Sequence, residues 1–254
     1  MPAVVVIPAR FASSRLPGKP LLRATGKYLI QHVYEQASRA KRVEAVVVAT
    51  DDERIVEAVR SFGGQAVMTR PDHQSGTDRI AEVMRMPEFQ RFHTVVNVQG
   101  DEPEIKPEII DDLVRITRQV DVPMATVSAP FANWNEIKDP NKVKVVVDQR
   151  GMAIYFSRSV IPFDRDGQSA SATMLELAGI YRKHLGIYAY QRSFLLTLCA
   201  TPLPVIEQLE KLEQLRALFL GVKIFVQDIA EAPAGIDTPA DYAAFIERSR
   251  SALI

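Results

Sequence analysis

Cysteine is almost absent: Cys199 stands alone among 254 residues. A single thiol closes no internal disulfide and builds no cysteine-rich zinc site, which fits a reducing compartment. Net charge is absent too, because thirty-one Lys and Arg balance thirty-one Asp and Glu. No global field favours nucleic acid or an anionic membrane as partner, so any anion must be met by local charge. No apolar run is long enough to span a bilayer. The run ahead of Pro8 is short and has no basic flank, so it reads as a strand and not as a signal peptide. The expectation is a cytoplasmic chain with neither membrane nor nucleic acid as partner. Two nucleotide signatures are missing as well. There is no Gly-x-x-x-x-Gly-Lys-Ser/Thr loop and no Gly-x-Gly-x-x-Gly fingerprint, which disfavours a dehydrogenase. Internal repeats and low-complexity linkers are also lacking.

What is present is ordinary globular material, 47% hydrophobic and 24% charged, enough for one large domain or a domain plus a subdomain. Ala3 to Ile7 is a β-branched run suited to a strand buried on both faces. Further strands are expected at Ala45 to Ala49, Gln65 to Met68 and Thr94 to Val98, alternating with helices at Ile30 to Arg39, Glu53 to Phe62 and Thr77 to Met84. That alternation predicts an α/β fold with a mostly parallel sheet and ligands at the carboxyl ends of its strands. In the second half, strands are expected at Pro123 to Ala129, Val143 to Asp148, Met152 to Phe156, Leu185 to Tyr190 and Lys223 to Val226. Helices are expected at Arg192 to Leu198, as one piece over Pro204 to Leu220, and at Pro239 to Arg250. Pro162 to Arg182 is poorly patterned and reads as a loop or mobile excursion. The second half reads as an insertion or subdomain closing over the first, with residues of about 130–205 forming the smaller unit of a single domain over 1–254.

The loop from Pro8 to Pro20 sets Arg10, Arg15 and Lys19 directly after the first strand. Small residues such as Ala9 and Ser14 let backbone N–H groups approach phosphate oxygens. Arginine forks and a lysine point charge then suit a triphosphate, each charged contact being worth ~1.5–3 kcal/mol. An exposed, merely solvated basic loop is the alternative, and its position between strand and helix weighs against that. Asp101 follows the Thr94 to Val98 strand across a turn at Gly100, where a carboxylate can hold Mg2+ beside phosphates. Asp237, just ahead of Pro239, is the second candidate, although Asp there also suits a helix cap.

Val6-Ile7-Pro8-Ala9-Arg10 with Ser14-Arg15-Leu16-Pro17-Gly18-Lys19-Pro20-Leu21 resembles the signature of sugar nucleotidyltransferases. In detail the chain resembles the 3-deoxy-manno-octulosonate (Kdo) cytidylyltransferases, the CMP-Kdo synthetases, over nearly its whole length. Further matches are Ala49-Thr50-Asp51-Asp52, Ser75-Gly76-Thr77-Asp78-Arg79, Val98-Gln99-Gly100-Asp101-Glu102-Pro103, Tyr155-Phe156-Ser157-Arg158, Lys183-His184-Leu185-Gly186-Ile187-Tyr188, Leu212-Glu213-Gln214-Leu215-Arg216 and Ile236-Asp237-Thr238-Pro239. The last four are the more specific.

The resemblance implies a Rossmann-like nucleotidyltransferase fold with an inserted sugar-binding and dimerisation subdomain, hence a homodimer. It implies transfer of CMP from CTP to an acidic sugar, Kdo, with Mg2+ as cofactor: the acceptor hydroxyl attacks the α-phosphorus and pyrophosphate leaves. It implies catalytic roles for Arg10, Arg15, Lys19 and Asp101, and metal ligation by Asp101 and Asp237. Pro8, Ala9, Arg10, Ser14, Lys19, Ser75, Gly76, Arg79 and Gln99 are implied at the nucleotide, although a plain helix cap at Ser75 and an ion pair at Arg79 suit the pattern as well. Arg158 is implied at the sugar carboxylate, and His184, Tyr188, Glu213 and Gln214 at its hydroxyls. His184 and Tyr188 share a face if their strand is regular. No general base is assigned. Tyr28 stands where the family pattern has Pro, and Asp164 to Leu177 carries no matched residue. CMP transfer to a sialic acid or an amino-substituted Kdo, or a catalytically silent nucleotide-binding protein, are the competing readings.

Overall fold

A computed structural model of the chain describes residues 1–12, 16–119, 122–167, 169 and 172–251. The sheet is built from the β-branched runs. β1 (Ala3–Ala9), β2 (Ala45–Thr50), β3 (Ala66–Met68) and β4 (Thr94–Asn97) run parallel in the order β3-β2-β1-β4. Alternate side chains supply both faces, as a strand's period of two requires. Val5, Ile7, Val48 and Val96 enter one core with α1 (Leu29–Ala37), α2 (Glu53–Ser61) and α4 (Pro107–Thr117). Val4, Val6, Val47 and Val95 enter the other, under α3 (Gly76–Val83). The α4 helix was not expected, although Pro107 at its start and Ile109, Ile110, Leu113 and Val114 at helical spacing explain it.

Beyond β4 the sheet continues with β8 (Arg182–Gln191), β5 (Met124–Pro130) and β9 (Ile224–Asp228). Only β8 breaks the direction in this path, pairing antiparallel with both β4 and β5, while β5 and β9 are parallel. A ribbon of β6 (Lys144–Val147) and β7 (Ala153–Ser157) hangs from β8 through two residues of β6. Around it lies a small separate core of Phe131, Ile137, Leu177 and Tyr181, with α5 (Trp134–Lys138) contributing Ile137. From Arg182 the chain rejoins the main sheet, and α7 (Arg192–Ala200) adds Leu195 and Leu198 to the large core.

Two expectations are corrected. The stretch read as loop contains α6 (Met174–Ile180), started by a capping box in which Thr173 and Glu176 satisfy each other's backbone N–H groups. The single helix expected over Pro204 to Leu220 is two: α8 (Val205–Glu210) and α9 (Gln214–Phe219). Lys211 ends α8 in the left-handed region, φ 53°. Apolar spacing carries no warning of such a break, since Leu212 and Leu215 are buried on either side of the expected register while Leu209 and Phe219 face solvent. Across the break a buried bidentate pair fixes the two helices: Arg216 Nη2 and Nε donate to Glu207 at 2.6 and 2.7 Å, and Arg216 Nη1 to Leu198 O at 3.0 Å. The last helix, α10 (Pro239–Ser251), closes the chain over His32 and Leu29 on α1.

Candidate active site

The carboxyl ends of β1 and β4 bring the first loop and Asp101 together. Gly100 permits this, because a Cβ there would sit 3.1 Å from the Pro8 carbonyl oxygen and 3.7 Å from the Ala9 Cβ. Gly18, at φ 66°, turns the loop back so that its N–H reaches Phe11 O, and leads into the one-turn helix Lys19–Leu21. The result aims Lys19 across the chain. Its Nζ donates to Asp101 Oδ2 at 2.6 Å and to Ile236 O at 2.7 Å, and lies 3.6 Å from Asp237 Oδ1. Ile236 N donates to Asp101 O, tying the two aspartate segments edge to edge.

Asp237 does not cap α10. Thr238 Oγ1 accepts from Asp241 N, and the Asp241 carboxylate accepts from the N–H groups of Asp237 and Thr238. The capping work is done one residue later, which leaves the Asp237 carboxylate facing Lys19. Glu102, the next residue after Asp101, is half-buried. Burial first, then the charges of Asp101 and Asp237, push its carboxyl up to about 8. Among the described residues no group of three or more His, Cys, Asp or Glu is arranged to hold a metal. The two hard carboxylates of Asp101 and Asp237 converge instead on the Lys19 ammonium, the kind of oxygen donors a hard divalent cation accepts beside phosphate and water.

Pro8, Ala9, Arg10, Lys19, Gln99, Gly100, Asp101 and Asp237 enclose one cavity of about 670 Å3. Arg10 is exposed on its wall, while Ser14 and Arg15 lie outside the described residues. Gly76 packs against Pro8, where a Cβ would meet its ring at 3.2 Å. Ser75 caps α3, accepting from Asp78 N at 3.1 Å, and buried Arg79 pairs with Asp51 at 3.2 Å and donates to Thr69. Cap and ion pair, the alternatives open on the sequence, are thus the present occupations of these two side chains.

A second cavity of about 440 Å3 adjoins the first, with Gln99 on both walls. His184, Tyr188, Glu213 and Gln214 all line it. The strand bearing the first two is not regular: the β5–β8 register shifts between Thr126 and Val127, so β8 bulges at Gly186 and Ile187. The two rings still lie 5.4 Å apart, and Gln99 Nε2 donates to the bulged Gly186 O at 3.1 Å. Burial drives His184 down to about 3 and Tyr188 well above its ordinary 10. Both are therefore neutral hydrogen-bonding groups near pH 7. Glu213 is raised by burial against hydrogen bonds from Thr77 and Ser75.

Arg158 does not line this cavity. Its Nε donates to Glu210 O at 2.6 Å and its Nη1 to Pro140 O at 3.0 Å. The cations on the cavity wall are Lys142, Lys183 and Lys211, which sequence reading did not single out as a set. They were invisible because they come from three separate segments. Buried Lys144 assembles two of the surrounding stretches, donating to the carbonyls of Asp139, Lys142 and Arg158.

The profile of the family described as Cytidylyltransferase matches residues 4–224. The 3-deoxy-manno-octulosonate cytidylyltransferase of Syntrophotalea carbinolica is 49% identical over 243 residues, covering 95% of this chain and 96% of that one. Among solved structures, CMP:2-keto-3-deoxy-manno-octonic acid synthetase complexed with CTP superposes with a TM-score of 0.90 at 44% identity, over 99% of this chain and 100% of that one. The 4-diphosphocytidyl-2C-methyl-D-erythritol synthase of Anaerococcus prevotii shares the fold alone, with a TM-score of 0.63 at 14% identity over 99% of this chain and 96% of that one.

Proposed function

We propose a division of labour within this site, starting from the fact that the chain belongs to the 3-deoxy-manno-octulosonate cytidylyltransferase family. It is a nucleotidyltransferase that activates Kdo with CTP, giving CMP-Kdo for lipopolysaccharide synthesis. One observation carries the assignment of residues: two polar cavities meet at Gln99, one walled by Arg10, Lys19 and two aspartates, the other by His184, Tyr188, Glu213 and Gln214 with three lysines around them. A two-substrate transfer needs that arrangement, because the attacking hydroxyl and the α-phosphorus must meet at a shared boundary.

CTP takes the first cavity. Pro8, Ala9 and Gln99 face the nucleoside from within that cavity, and the Ser75–Gly76 turn, braced by Arg79, reaches it from the adjoining wall where Gly76 packs on Pro8. Arg10 and Lys19 take phosphate oxygens, together with Ser14 and Arg15. Asp101 and Asp237 hold Mg2+, which when bound neutralises charge on the phosphates and so favours departure of pyrophosphate. The residues fit that ion, since two carboxylates already converge on a cation there. Kdo takes the second cavity. His184, Tyr188, Glu213 and Gln214 bind its hydroxyls. Its carboxylate draws the Arg158 guanidinium from two backbone carbonyls, a formal anion being the stronger acceptor, while the three wall lysines add attraction. The neutral His184 positions the sugar and takes no proton near pH 7.

A homodimer formed through the second half is supported by the apolar side chains exposed there, Ile154, Phe163, Leu203, Val205, Leu209 and Phe219. CTP use and a lone cysteine support the cytoplasm. No helix among the described residues is long and apolar enough to cross a membrane. The test is CTP-dependent pyrophosphate release across a panel of ulosonic acids with Mg2+. Kdo is expected to give the highest kcat/KM. Preference for a sialic acid or an amino-substituted Kdo would replace the acceptor. CTP-dependent thermal stabilisation with no turnover on any sugar would favour a silent nucleotide binder.

A further inference from the structure

Three buried side-chain atoms have no hydrogen-bond partner among the described residues: Asn97 Oδ1, Glu102 Oε2 and Gln214 Nε2. All three residues line the same 440 Å3 cavity. Folded proteins pair almost all their buried polar atoms, because an unpaired one forfeits its hydration without return. Three such atoms, each shielded from solvent but carried by a residue that lines one cavity, mark side chains kept polar for a ligand that draws them out. Gln214 already belongs to the proposed sugar pocket, and Glu102 sits beside the metal aspartates. Asn97 has had no role.

Asn97 closes β4 and is 2% exposed. It lies on the same strand face as Val95, within a stretch that is otherwise apolar, and its register partner across the sheet is Tyr188. An apolar side chain would fill that position without cost, and the fold makes no use of the amide oxygen. The backbone there is rigid, paired to β1 on one side and β8 on the other. A strand-held amide is better placed to read a ligand group than a loop-held one.

We propose that Asn97 is a further sugar-recognition residue, whose amide oxygen accepts a hydrogen bond from one hydroxyl of the acidic sugar beside Tyr188. This rests on the reading that the second cavity takes the sugar. A buried amide left unpaired by a missing hydroxyl discriminates strongly, so Asn97 acts as a specificity determinant and not only as an affinity contact.

The test uses the whole enzyme with Asn97→Leu, which keeps the branching of the amide without its polar atoms, and with Asn97→Ala should the bulkier first variant fold poorly. Steady-state kinetics are measured with CTP, Mg2+, Kdo and a set of its monodeoxy analogues. The expected result is a rise of about 10-fold or more in KM for Kdo with the KM for CTP unchanged. One deoxy analogue should be penalised by the parent enzyme and no longer by the variant. The melting temperature of the ligand-free Leu variant should hold or rise, since an orphaned group is removed. An unchanged KM for Kdo, a rise confined to CTP, or an equal loss with every analogue together with a lower melting temperature would overturn the assignment. Failure of the parent enzyme to use any ulosonic acid would instead overturn the sugar reading beneath it.

Discussion

Lys19 places an ammonium between Asp101 and Asp237, so each aspartate already works as a cation ligand before any substrate binds. Replacing Asp101 by Asn keeps the shape and removes the charge. Turnover is expected to fall on the order of 10²-fold or more, ~2.7 kcal/mol of barrier, and near-parent turnover at saturating Mg2+ would rule the metal role out. His184 allows a prediction about pH. Unfolded, it takes a proton near 6.5, whereas folded, burial withholds the proton until about 3. Below pH 6.5 the unfolded chain therefore binds the extra proton, and stability is lost progressively as pH falls toward 3. By pH 5 this single group costs about 2 kcal/mol. The His184→Gln variant cannot take that proton, so denaturant unfolding between pH 7 and 4 should show a shallower acid limb than the parent chain; parallel limbs would show that His184 is not buried neutral. At this scale the basic loop after the first strand pointed to Arg10 and Lys19, which the structure places on one cavity, while Arg15 lies outside the described residues. Asp101 was legible too, from the turn at Gly100. The pocket lysines and the orphaned Asn97 were not. Their meaning depends on which segments meet across the sheet, and no local pattern encodes that.

The elements differ in how plainly the sequence announces them. Short β-branched runs between turn residues identified β1, β2 and β4 to within about two residues, because strands buried on both faces leave an unbroken apolar signature. The inserted antiparallel β8 left no such sign, since pairing direction is set by the connections. The break between α8 and α9 was equally silent. Lys211 bears a Cβ in a conformation that suits glycine, and the buried Glu207–Arg216 pair holds it there. Lys211→Gly should relieve that strain and raise stability by about 0.5–1 kcal/mol, seen as a rise of roughly 1–4 °C in melting temperature. A fall would mean that the left-handed turn is not the resting conformation. Because Lys211 also lines the sugar cavity, the same variant should raise the KM for Kdo, which separates the strain from the charge in one protein.

At the scale of the whole molecule, the large cores are complete while the second half leaves apolar side chains in solvent. Val205 and Leu209 stand four apart on α8, so they form one stripe, 68% and 77% exposed, with Leu203 just ahead of it. A lone exposed leucine is unremarkable, but a helical stripe continued by its flanking residue is the pattern of a surface that a second copy covers. The same short helix carries Glu207, the anchor of α9, and α9 opens with Gln214 on the sugar cavity wall. The exposed stripe and the proposed sugar cavity are therefore joined through one pair of short helices. Sedimentation of the parent chain at micromolar concentration should give a dimer, and Val205→Lys with Leu209→Lys should shift it toward monomer without altering the circular dichroism of the fold. If the stripe steadies α8 and through it α9, the monomeric variant should show a raised KM for Kdo and an unchanged KM for CTP, because Lys19, Asp101 and Asp237 sit on the opposite side of Gln99. A dimer that survives both lysines would place the interface elsewhere in the second half, and a monomeric parent chain would remove it altogether.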